Sequence, residues 1–430
     1  MKSRLREFSK KPFIRNVIIL VTGTAAAQVI GLISSPIITR LYGPEAFGLM
    51  GAFLAIVSIL SPIAALTYPI AIVLPKRDQD AKGLIQLSLL ITLIISIISL
   101  ITLALFNKQI INIFNLKDIA AFLYLIPVVI IFSGLVQVVH QWLIRTKQFS
   151  INARVTILQS IILNGSKIGI GLFNPIGAVL VVLSALGSGL QAVLMIFFAK
   201  RSDYQIDTQF TGEKKTLKEL AKQHNDFPKY RAPEVFLNAV STGLPVLMLT
   251  AFFGPASAGF YTIGRTVLTM PSRLIGNAVG DVFYPRIAEA AINKENMTKL
   301  IKKGTLALAG VGLVPFGLII LFGPFLFSFV FGSDWVMAGE YARWIALWSY
   351  LGFMNTPSVK ALPVLRAQRF HLFYTIFMLV TRLGVLGIGY YVFSSDLVAI
   401  ALFGISGALL NIGLITITLK ISRQRGIENE

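Results

Sequence analysis

The sequence has no cysteine, only three histidines and few charged residues for its length of 430. Without cysteine there can be no disulfide, no thiolate metal site and no cysteine nucleophile. His140, His224 and His371 lie far apart and lack the spacing of zinc ligands, so we expect no metal. Charged residues make up 13% of the chain, whereas an average soluble protein has about 25%. This composition argues against a soluble domain.

Apolar residues take the place of the missing charges. They make up 55% of the chain, and the mean hydropathy is +0.76. They occur in runs that reach the roughly 20 residues a helix needs to cross a bilayer. The sequence therefore predicts an all-α polytopic membrane protein with about twelve transmembrane helices. The predicted spans are residues 16–39, 46–74, 83–106, 119–144, 154–173, 176–199, 228–252, 257–284, 304–330, 338–362, 371–393 and 397–419.

The basic residues give these spans a direction. The formal net charge is +20, and most lysines and arginines lie between the spans. Topology and anionic lipid headgroups explain this distribution, so no nucleic-acid partner is expected. One side of the membrane receives most of them, including both termini, and the other side has only Arg40, Lys108, Lys117 and Arg343. By the positive-inside rule, both termini are predicted to be cytoplasmic.

A short stretch occurs twice in the chain. Leu41–Gly48 (LYGPEAFG) has a partial copy 211 positions later at Phe252–Gly259 (FFGPASAG), in which Gly-Pro and the last glycine match. A glycine after a helix end can adopt the left-handed conformation, and the proline beside it can begin the next helix. Both copies are thus predicted to be corners between helices. A second similarity, between Arg145–Phe149 and Arg366–Phe370 at an offset of 221, supports an internal duplication.

The duplication predicts the domain organisation. Residues 1–199 and 228–430 would form two six-helix bundles, joined by a cytoplasmic linker at 200–227 with a short surface helix near Lys214–Lys222. Six is an even number, so both halves cross the membrane in the same sense. They are therefore parallel repeats, related by a pseudo-twofold axis along the membrane normal.

Asp78-Gln79-Asp80 has the D-x-D pattern that many glycosyltransferases use to hold a metal and a nucleotide-sugar. It lies in a connection of about eight residues, and we interpret it as a solvated turn. Glycine-rich phosphate loops and the metalloprotease and serine-hydrolase motifs are absent. We therefore expect no catalytic residues.

Four cations lie deep in predicted spans: Lys167, Arg265, Arg273 and Arg382. A cation at the centre of a membrane helix costs about 2.5–3.5 kcal/mol to insert. Candidate polar partners are Asn164, Asn238, Glu234 and Asp281. The two acids could neutralise cations in structural pairs, but four cations exceed two acids. We therefore favour a cationic substrate-binding cavity.

The chain resembles the Wzx-type polysaccharide exporters, the O-antigen and capsule flippases of the multidrug/oligosaccharidyl-lipid/polysaccharide superfamily. The order and spacing of several motifs carry the resemblance. These motifs are LYGPEAFG after the first helix, FFGPASAGFY after the seventh, NDFPKY at its start, YTIGR at 261–265, Met270-Pro271, and VFYPRIA at 282–288.

The resemblance implies a function in a bacterial inner membrane. Such proteins move an undecaprenyl-pyrophosphate-linked oligosaccharide from the cytoplasmic to the periplasmic leaflet by alternating access, for O-antigen, capsule or exopolysaccharide assembly. Arg265 matches the family's eighth-helix arginine, and cavity cations meet the anionic substrate. The implied partners are the lipid-linked oligosaccharide and the bilayer, and a polymerase and other assembly proteins are candidates. No cofactor is implied, and coupling to H⁺ or Na⁺ stays open.

Two alternatives stay open. A cation-coupled multidrug exporter would share the fold. A membrane polymerase or ligase for sugars would belong to another class, but the predicted outer loops are short and lack the acids such an enzyme usually presents. Peptidoglycan-precursor flippases usually have more spans, so their substrate ranks lower.

Overall fold

The computed structural model describes residues 12–201, 215–272 and 276–428, and within them it contains helices and turns but no strand. The contacts between residues divide the chain into two compact units at Ala251 and Phe252. The first unit contains helices α1 (Pro12–Leu60), α2 (Asp78–Phe114), α3 (Ile126–Arg145), α4 (Phe149–Gly171), α5 (Gly177–Lys200), α6 (Leu217–Gln223) and nearly all of α7 (Ala232–Phe253). It also contains 3₁₀ segments at Ser61–Ile63, Tyr68–Val73 and Lys117–Leu125 and a π turn at Phe227–Arg231.

The second unit, from Phe252 onward, is also helical among its described residues. Its helices are α8 (Pro255–Pro271), α9 (Asn277–Ile292), α10 (Met297–Phe331), α11 (Val336–Met354), α12 (Thr356–Ala361), α13 (Gln368–Tyr391) and α14 (Asp396–Glu428), with a 3₁₀ turn at Ser333–Trp335.

Each of the twelve predicted spans contains described helix, although the second, 46–74, is α-helical only to Leu60 and continues in 3₁₀ segments. Eight described helical segments are long and apolar enough to cross a membrane, and the first of them, Thr22–Ile63, holds the first span and part of the second. The remaining spans correspond to α4, to α8 with α9, and to α11 with α12, which are shorter or less apolar. The predicted polytopic all-α fold is therefore confirmed.

The two Gly-Pro corners share one backbone conformation. Gly43 has φ 69° and ψ 173°, and Gly254 has φ 88° and ψ 174°. Helix α1 is broken at Gly43, and Gly254 precedes the proline that begins α8. The expected left-handed helical conformation was wrong, because ψ is extended at both residues. This combination of angles is essentially restricted to glycine.

The segments Arg145–Phe149 and Arg366–Phe370 also share a backbone conformation, but at a different alignment from the one that their letters suggest. Lys147 and Arg366 both have positive φ, 58° and 49°, directly after a helix or turn. The next backbone N–H in each case donates five residues back, Gln148 to Leu143 at 2.8 Å and Ala367 to Leu362 at 2.9 Å. This is the Schellman pattern of a helix end. Lys147 is thus equivalent to Arg366, two positions away from the match that the letters suggested.

A short helix lies in the connection where the sequence predicted one. Thr216 and Glu219 form a capping box at the start of α6, which fixes its first turn. Leu220 is buried in an apolar cluster with Tyr68, Ile72 and Leu84 of the first unit. The Tyr68 hydroxyl also donates to the Ala221 carbonyl at 3.1 Å. The linker helix is therefore docked on the first unit.

Packing places α7 with the first unit. A Cβ on Gly243 of α7 would lie 3.1 Å from the Ile59 side chain and 3.2 Å from the Ala55 carbonyl. The division by contacts thus falls after the seventh span, whereas the sequence places it in the linker before that span. The boundaries 1–199 and 228–430 describe the repeat rather than packing, and they stay a prediction.

Asp78 is buried, so the solvated turn expected for Asp78-Gln79-Asp80 was wrong. Asp78 Oδ1 accepts hydrogen bonds from Arg145 Nε at 3.0 Å and from Arg145 Nη2 at 2.9 Å, and both side chains are at most 10% exposed. Arg145 also donates to the carbonyls of Ile72 and Pro75. The acid therefore anchors the connection between the second and third spans to the end of α3.

Candidate functional site

Helices α1 and α4 of the first unit touch closely at two points. At one, a Cβ on Gly23 would lie 2.4 Å from the Ala153 Cβ, so only glycine allows this approach. At the other, a Cβ on Gly171 would lie 2.6 Å from the Tyr42 ring. The Tyr42 hydroxyl donates to the Lys167 carbonyl at 2.8 Å, which fixes this second point.

A groove lined mainly by residues with polar side chains lies between these two contacts. Its volume is about 370 Å³, at the lower end of the roughly 300–1,000 Å³ of small-molecule sites. It brings together Lys167 and Asn164, two of the residues singled out in the sequence. The lining residues are Thr24, Ala27, Gln28, Thr156, Gln159, Ser160, Leu163, Asn164 and Lys167.

Hydrogen bonds hold most of the polar side chains of the groove. Asn164 Nδ2 donates to the Ser160 carbonyl at 2.8 Å, and Ser160 Oγ donates across to the Ala27 carbonyl at 3.0 Å. Gln159 Nε2 donates to the Gly187 carbonyl of α5 at 2.9 Å. These bonds orient the side chains before any ligand arrives.

Lys167 has no acidic partner among the described residues. Its Nζ lies 4.0 Å from the Met50 sulfur, a weak acceptor. A half-buried ammonium without a counter-ion favours binding of an anion. Lys167 is therefore the electrostatic centre of the groove.

The second unit holds two cations near an aromatic cluster. The guanidinium carbon of Arg382 on α13 lies 4.5 Å from the centre of the Trp348 ring and 5.8 Å from that of Phe403. Arg382 Nε is buried without a hydrogen-bond acceptor among the described residues. Arg265 on α8 is near enough for the two positive charges to repel each other. The structure thus brings together two of the three arginines singled out in the sequence.

Glu234 and Asn238 lie apart from the groove and the arginine cluster. Glu234 is exposed and forms an ion pair with Arg231 at 2.8 Å, one turn away on the surface rather than with a deep cation. Asn238 is also exposed. Arg273 lies outside the described residues, and of Asp281 only the backbone is described. Neither Glu234 nor Asn238 has a described contact that ties it to the groove or to the arginine cluster.

Gln28, Gln159 and Trp348 were missed in the sequence. Gln28 lies in the middle of the first span, where an uncharged amide among apolar residues was the available signal. Trp348 had no signal of its own, because aromatic residues are common in membrane helices. Its role depends on Arg382, 34 positions later in the chain.

Comparison with known families identifies the group to which the chain belongs. The model of the polysaccharide biosynthesis protein family Polysacc_synt_3 matches residues 37–340, more than half of the chain. The chain belongs to this family. The predicted resemblance to polysaccharide exporters is thereby confirmed.

One curated relative is named as a transport protein. The succinoglycan biosynthesis transport protein ExoT of Rhizobium meliloti (strain 1021) is 21% identical over 355 residues. The alignment covers 78% of this chain and 66% of the relative, just under two thirds of its length.

Solved structures of transporters share the fold. A multidrug resistance MATE family transporter of the MOP superfamily, in an inward-facing conformation, matches with a TM-score of 0.71 at 14% identity, over 96% of this chain and 98% of that one. The lipid II flippase MurJ matches with a TM-score of 0.72 at 14% identity, over 94% and 87%. All three relatives are named as transport proteins or flippases, in agreement with the prediction of a transporter rather than an enzyme.

Proposed function

We propose that this protein moves a lipid-linked oligosaccharide across a bacterial inner membrane for the assembly of a surface polysaccharide. The lipid carrier is undecaprenyl pyrophosphate, and the direction is from the cytoplasmic to the periplasmic leaflet. Membership in the polysaccharide biosynthesis family and similarity to a succinoglycan transport protein support the class of cargo. Similarity to transporters of the same fold supports alternating access.

One observation carries the proposal: each unit holds deep cations that no described acid neutralises, Lys167 in the first and Arg382 in the second. A pyrophosphate suits these groups, because arginine offers planar donors to its oxygens and lysine a mobile charge. We propose that Lys167, Arg382 and Arg265 contact the phosphates at successive stages of transport, so that binding never becomes too tight for release.

Deletion of the gene tests the proposal. The deletion strain should lose one surface glycan and accumulate the corresponding lipid-linked unit on the cytoplasmic side. Restoring the gene should reverse both effects. Intact glycans together with increased sensitivity to drugs would instead support the multidrug exporter, since that function shares the fold. Loss of polymer with normal delivery of single units to the periplasm would support a polymerase or ligase.

A further inference from the structure

Three helices of the second unit each carry a buried hydroxyl that has no hydrogen-bond partner among the described residues. The hydroxyls belong to Thr305 on α10, Ser358 on α12 and Thr418 on α14, and none of these residues is more than 7% exposed. Helices α10, α12 and α14 all pack against one another. Buried polar groups in proteins are nearly always hydrogen-bonded, so three exceptions on three adjoining helices call for an explanation.

The two threonines do not bond to their own helices. A threonine inside a helix can donate to the carbonyl four residues back, and the buried Thr92 and Thr250 do so at 2.8 Å. Thr305 and Thr418 make no such bond within the described chain. Their hydroxyls are therefore free to bond with a group that lies between the helices.

The contact between α10 and α12 brings two of the hydroxyls close together. A Cβ on Gly304 would lie 3.1 Å from the Pro357 side chain, so the backbone of α10 passes directly beside the start of α12. Thr305 and Ser358 are the residues that follow Gly304 and Pro357 in the chain. The two residues with unpaired hydroxyls therefore lie at the same level of their helices.

A direct hydrogen bond sets the level of α14. Thr298 Oγ1 on α10 donates to Ser422 Oγ on α14 at 3.0 Å. Thr305 lies two turns after Thr298, and Thr418 lies one turn before Ser422. Because the predicted ninth and twelfth spans run in opposite directions, both steps lead the same way along the membrane normal. Thr305 and Thr418 therefore differ in depth by about one helical turn.

Asn355 adds a fourth unpaired oxygen. It lies in the joint between α11 and α12, one turn before Ser358, and it is 2% exposed. Its Nδ2 donates to Asn411 Oδ1 at 3.0 Å, whereas its own Oδ1 has no donor in the part of the chain that the structure describes. Thr305, Asn355, Ser358 and Thr418 thus form a buried oxygen cluster at the joint of the tenth span.

The atoms of this cluster match water better than an ion. Asn355 Oδ1 can only accept a hydrogen bond, whereas the three hydroxyls can donate or accept. Water can do both, and a buried water typically has two to four polar partners. An anion could not donate to Asn355 Oδ1. A cation would lose its hydration to neutral oxygens alone, since the cluster contains no acid, and burying an unpaired charge is very costly.

We propose that the buried oxygen cluster is a water-binding site, in which ordered water bridges α10, α12 and α14. The water completes the hydrogen bonds of the joint, where Pro357 has no N–H to continue the helix. A bridging water is nearly as favourable as a direct hydrogen bond. The site is a property of the fold of the second unit and does not depend on the cargo.

Thermal unfolding of the purified full-length protein in lipid nanodiscs tests the site by the sign of a shift. Valine has nearly the shape of threonine but lacks the hydroxyl. If the hydroxyls bond to water, Thr305→Val and Thr418→Val should each lower the melting temperature by about 2–4 °C. If the cluster is dry, each valine removes an unpaired polar group and the melting temperature should stay the same or rise. That result would overturn the proposal.

The double variant tests whether the two hydroxyls share the same water. After the first valine has disrupted the bridge, the second has less to remove, so the combined shift should be clearly smaller than the sum of the single shifts. Losses that add fully would show two separate sites, and a bridge between α10 and α14 would then be wrong.

Thr416→Val is the matched control. Thr416 is exposed, lies two residues before Thr418 on α14 and donates to the Gly413 carbonyl of its own helix. Its melting temperature should stay within error of the unaltered protein. A loss as large as that of Thr418→Val would attribute the effect to valine in this helix, and it would count against the site.

Two further measurements identify the ligand. A density map that resolves water should contain a separate peak within about 3.2 Å of Ser358 Oγ, and a cluster without any peak would overturn the proposal. The melting temperature should be the same in sodium chloride and in choline chloride. A rise in sodium that disappears in Thr305→Val would show that the cluster binds a cation instead of water.

Discussion

The guanidinium of Arg382 lies over the ring of Trp348, with its central carbon 4.5 Å from the ring centre. The two residues belong to different helices, α13 and α11, and Phe403 of α14 borders the pair at 5.8 Å. A cation held on an aromatic face and shielded from water gains about 2 kcal/mol. The contact therefore offsets part of the cost of keeping an arginine deep in the membrane, and no acid among the described residues pairs with Arg382 to neutralise its charge.

This contact predicts how export depends on the charge. Arg382→Gln should abolish export of the glycan while the protein still inserts at normal levels. Arg382→Lys should restore export only in part, because lysine keeps the charge but lacks the planar group that stacks on Trp348. Export is measured as surface glycan in the deletion strain, and protein level by immunoblotting of membranes.

Arg369→Gln is the control for this test, because it removes the same charge from an exposed position on the same helix. It should leave export unchanged. Full export by Arg382→Gln would show that the arginine has no role in transport. Loss of the protein from the membrane would show that its role is structural.

The buried pair of Asp78 and Arg145 predicts a loss of stability. Asp78→Ala leaves the Arg145 charge buried without its partner, which costs about 3–5 kcal/mol in comparable pairs. The expected result is a lower melting temperature of the purified protein and less of it in the membrane.

Glu234→Ala serves as the comparison, because its pair with Arg231 is exposed and such pairs contribute little. Its melting temperature should stay within error of the unaltered protein. If the two variants melt alike, the buried pair does not stabilise the connection between the second and third spans.

Features encoded within short stretches of sequence were predictable. Hydropathy predicted the twelve spans, and the Gly-Pro pairs predicted both corners. Helical spacing also placed Asn164 and Lys167 on one face, and the groove contains both. In these cases the interacting residues are neighbours along the chain, so periodicity and turn chemistry suffice.

Contacts between distant segments were not predictable. Asp78 was misread because its partner Arg145 lies 67 positions away, and nothing in a short acidic turn reveals a buried arginine. Gln28 lines the groove only because α4 packs beside α1, and the sequence does not show that packing. The match between the two helix ends has a similar cause. Sequence similarity pairs Arg145 with Arg366, whereas the backbone conformation, which defines a helix end, pairs Lys147 with Arg366.

The linker helix is predicted to loosen in acid. His224, just after α6, is 8% exposed, and Nε2 has no described partner. Burial lowers the pKa of His224 below its usual 6.5; Asp226 opposes this and Lys215 adds to it. Well above pH 6.5 the imidazole is neutral whether the helix is docked or free, so its protonation does not affect docking there. As the pH falls below that value, the free form takes up the proton first and docking weakens.

Hydrogen exchange of residues 217–223, corrected for intrinsic rates, measures this effect. Exchange should be faster at pH 5.5 than at pH 7.5 in the unaltered protein, and the difference should vanish in His224→Gln. A pH difference that persists in the variant would assign the effect to another group.

The orientation of the chain is predicted from its charges. A reporter active only in the cytoplasm should be active when fused after Arg425 or within residues 205–222, since basic connections stay inside. The same reporter fused after Lys117 should be silent. Activity at Lys117 would overturn the orientation, and with it the direction of transport.

The two corners predict a purely conformational cost. Neither Gly43 nor Gly254 has any atom within 4 Å of the position of an added Cβ, so alanine fits the space at both. Their backbone angles are nevertheless unfavourable for any residue with a side chain, at about 1–3 kcal/mol each. Gly43→Ala and Gly254→Ala should therefore each lower the melting temperature.

Gly31→Ala isolates the cause of that loss. Gly31 also has open space around it, but it lies within α1 with no positive φ, so alanine there should be neutral or slightly stabilising. Because space is equal at all three positions, a difference can come only from the backbone. If Gly43→Ala and Gly254→Ala have the same melting temperature as Gly31→Ala, the corners do not need glycine. The shared backbone conformation would then not explain why both halves have a Gly-Pro pair. If they melt lower by similar amounts, the two halves depend on the same turn, as a duplicated unit should.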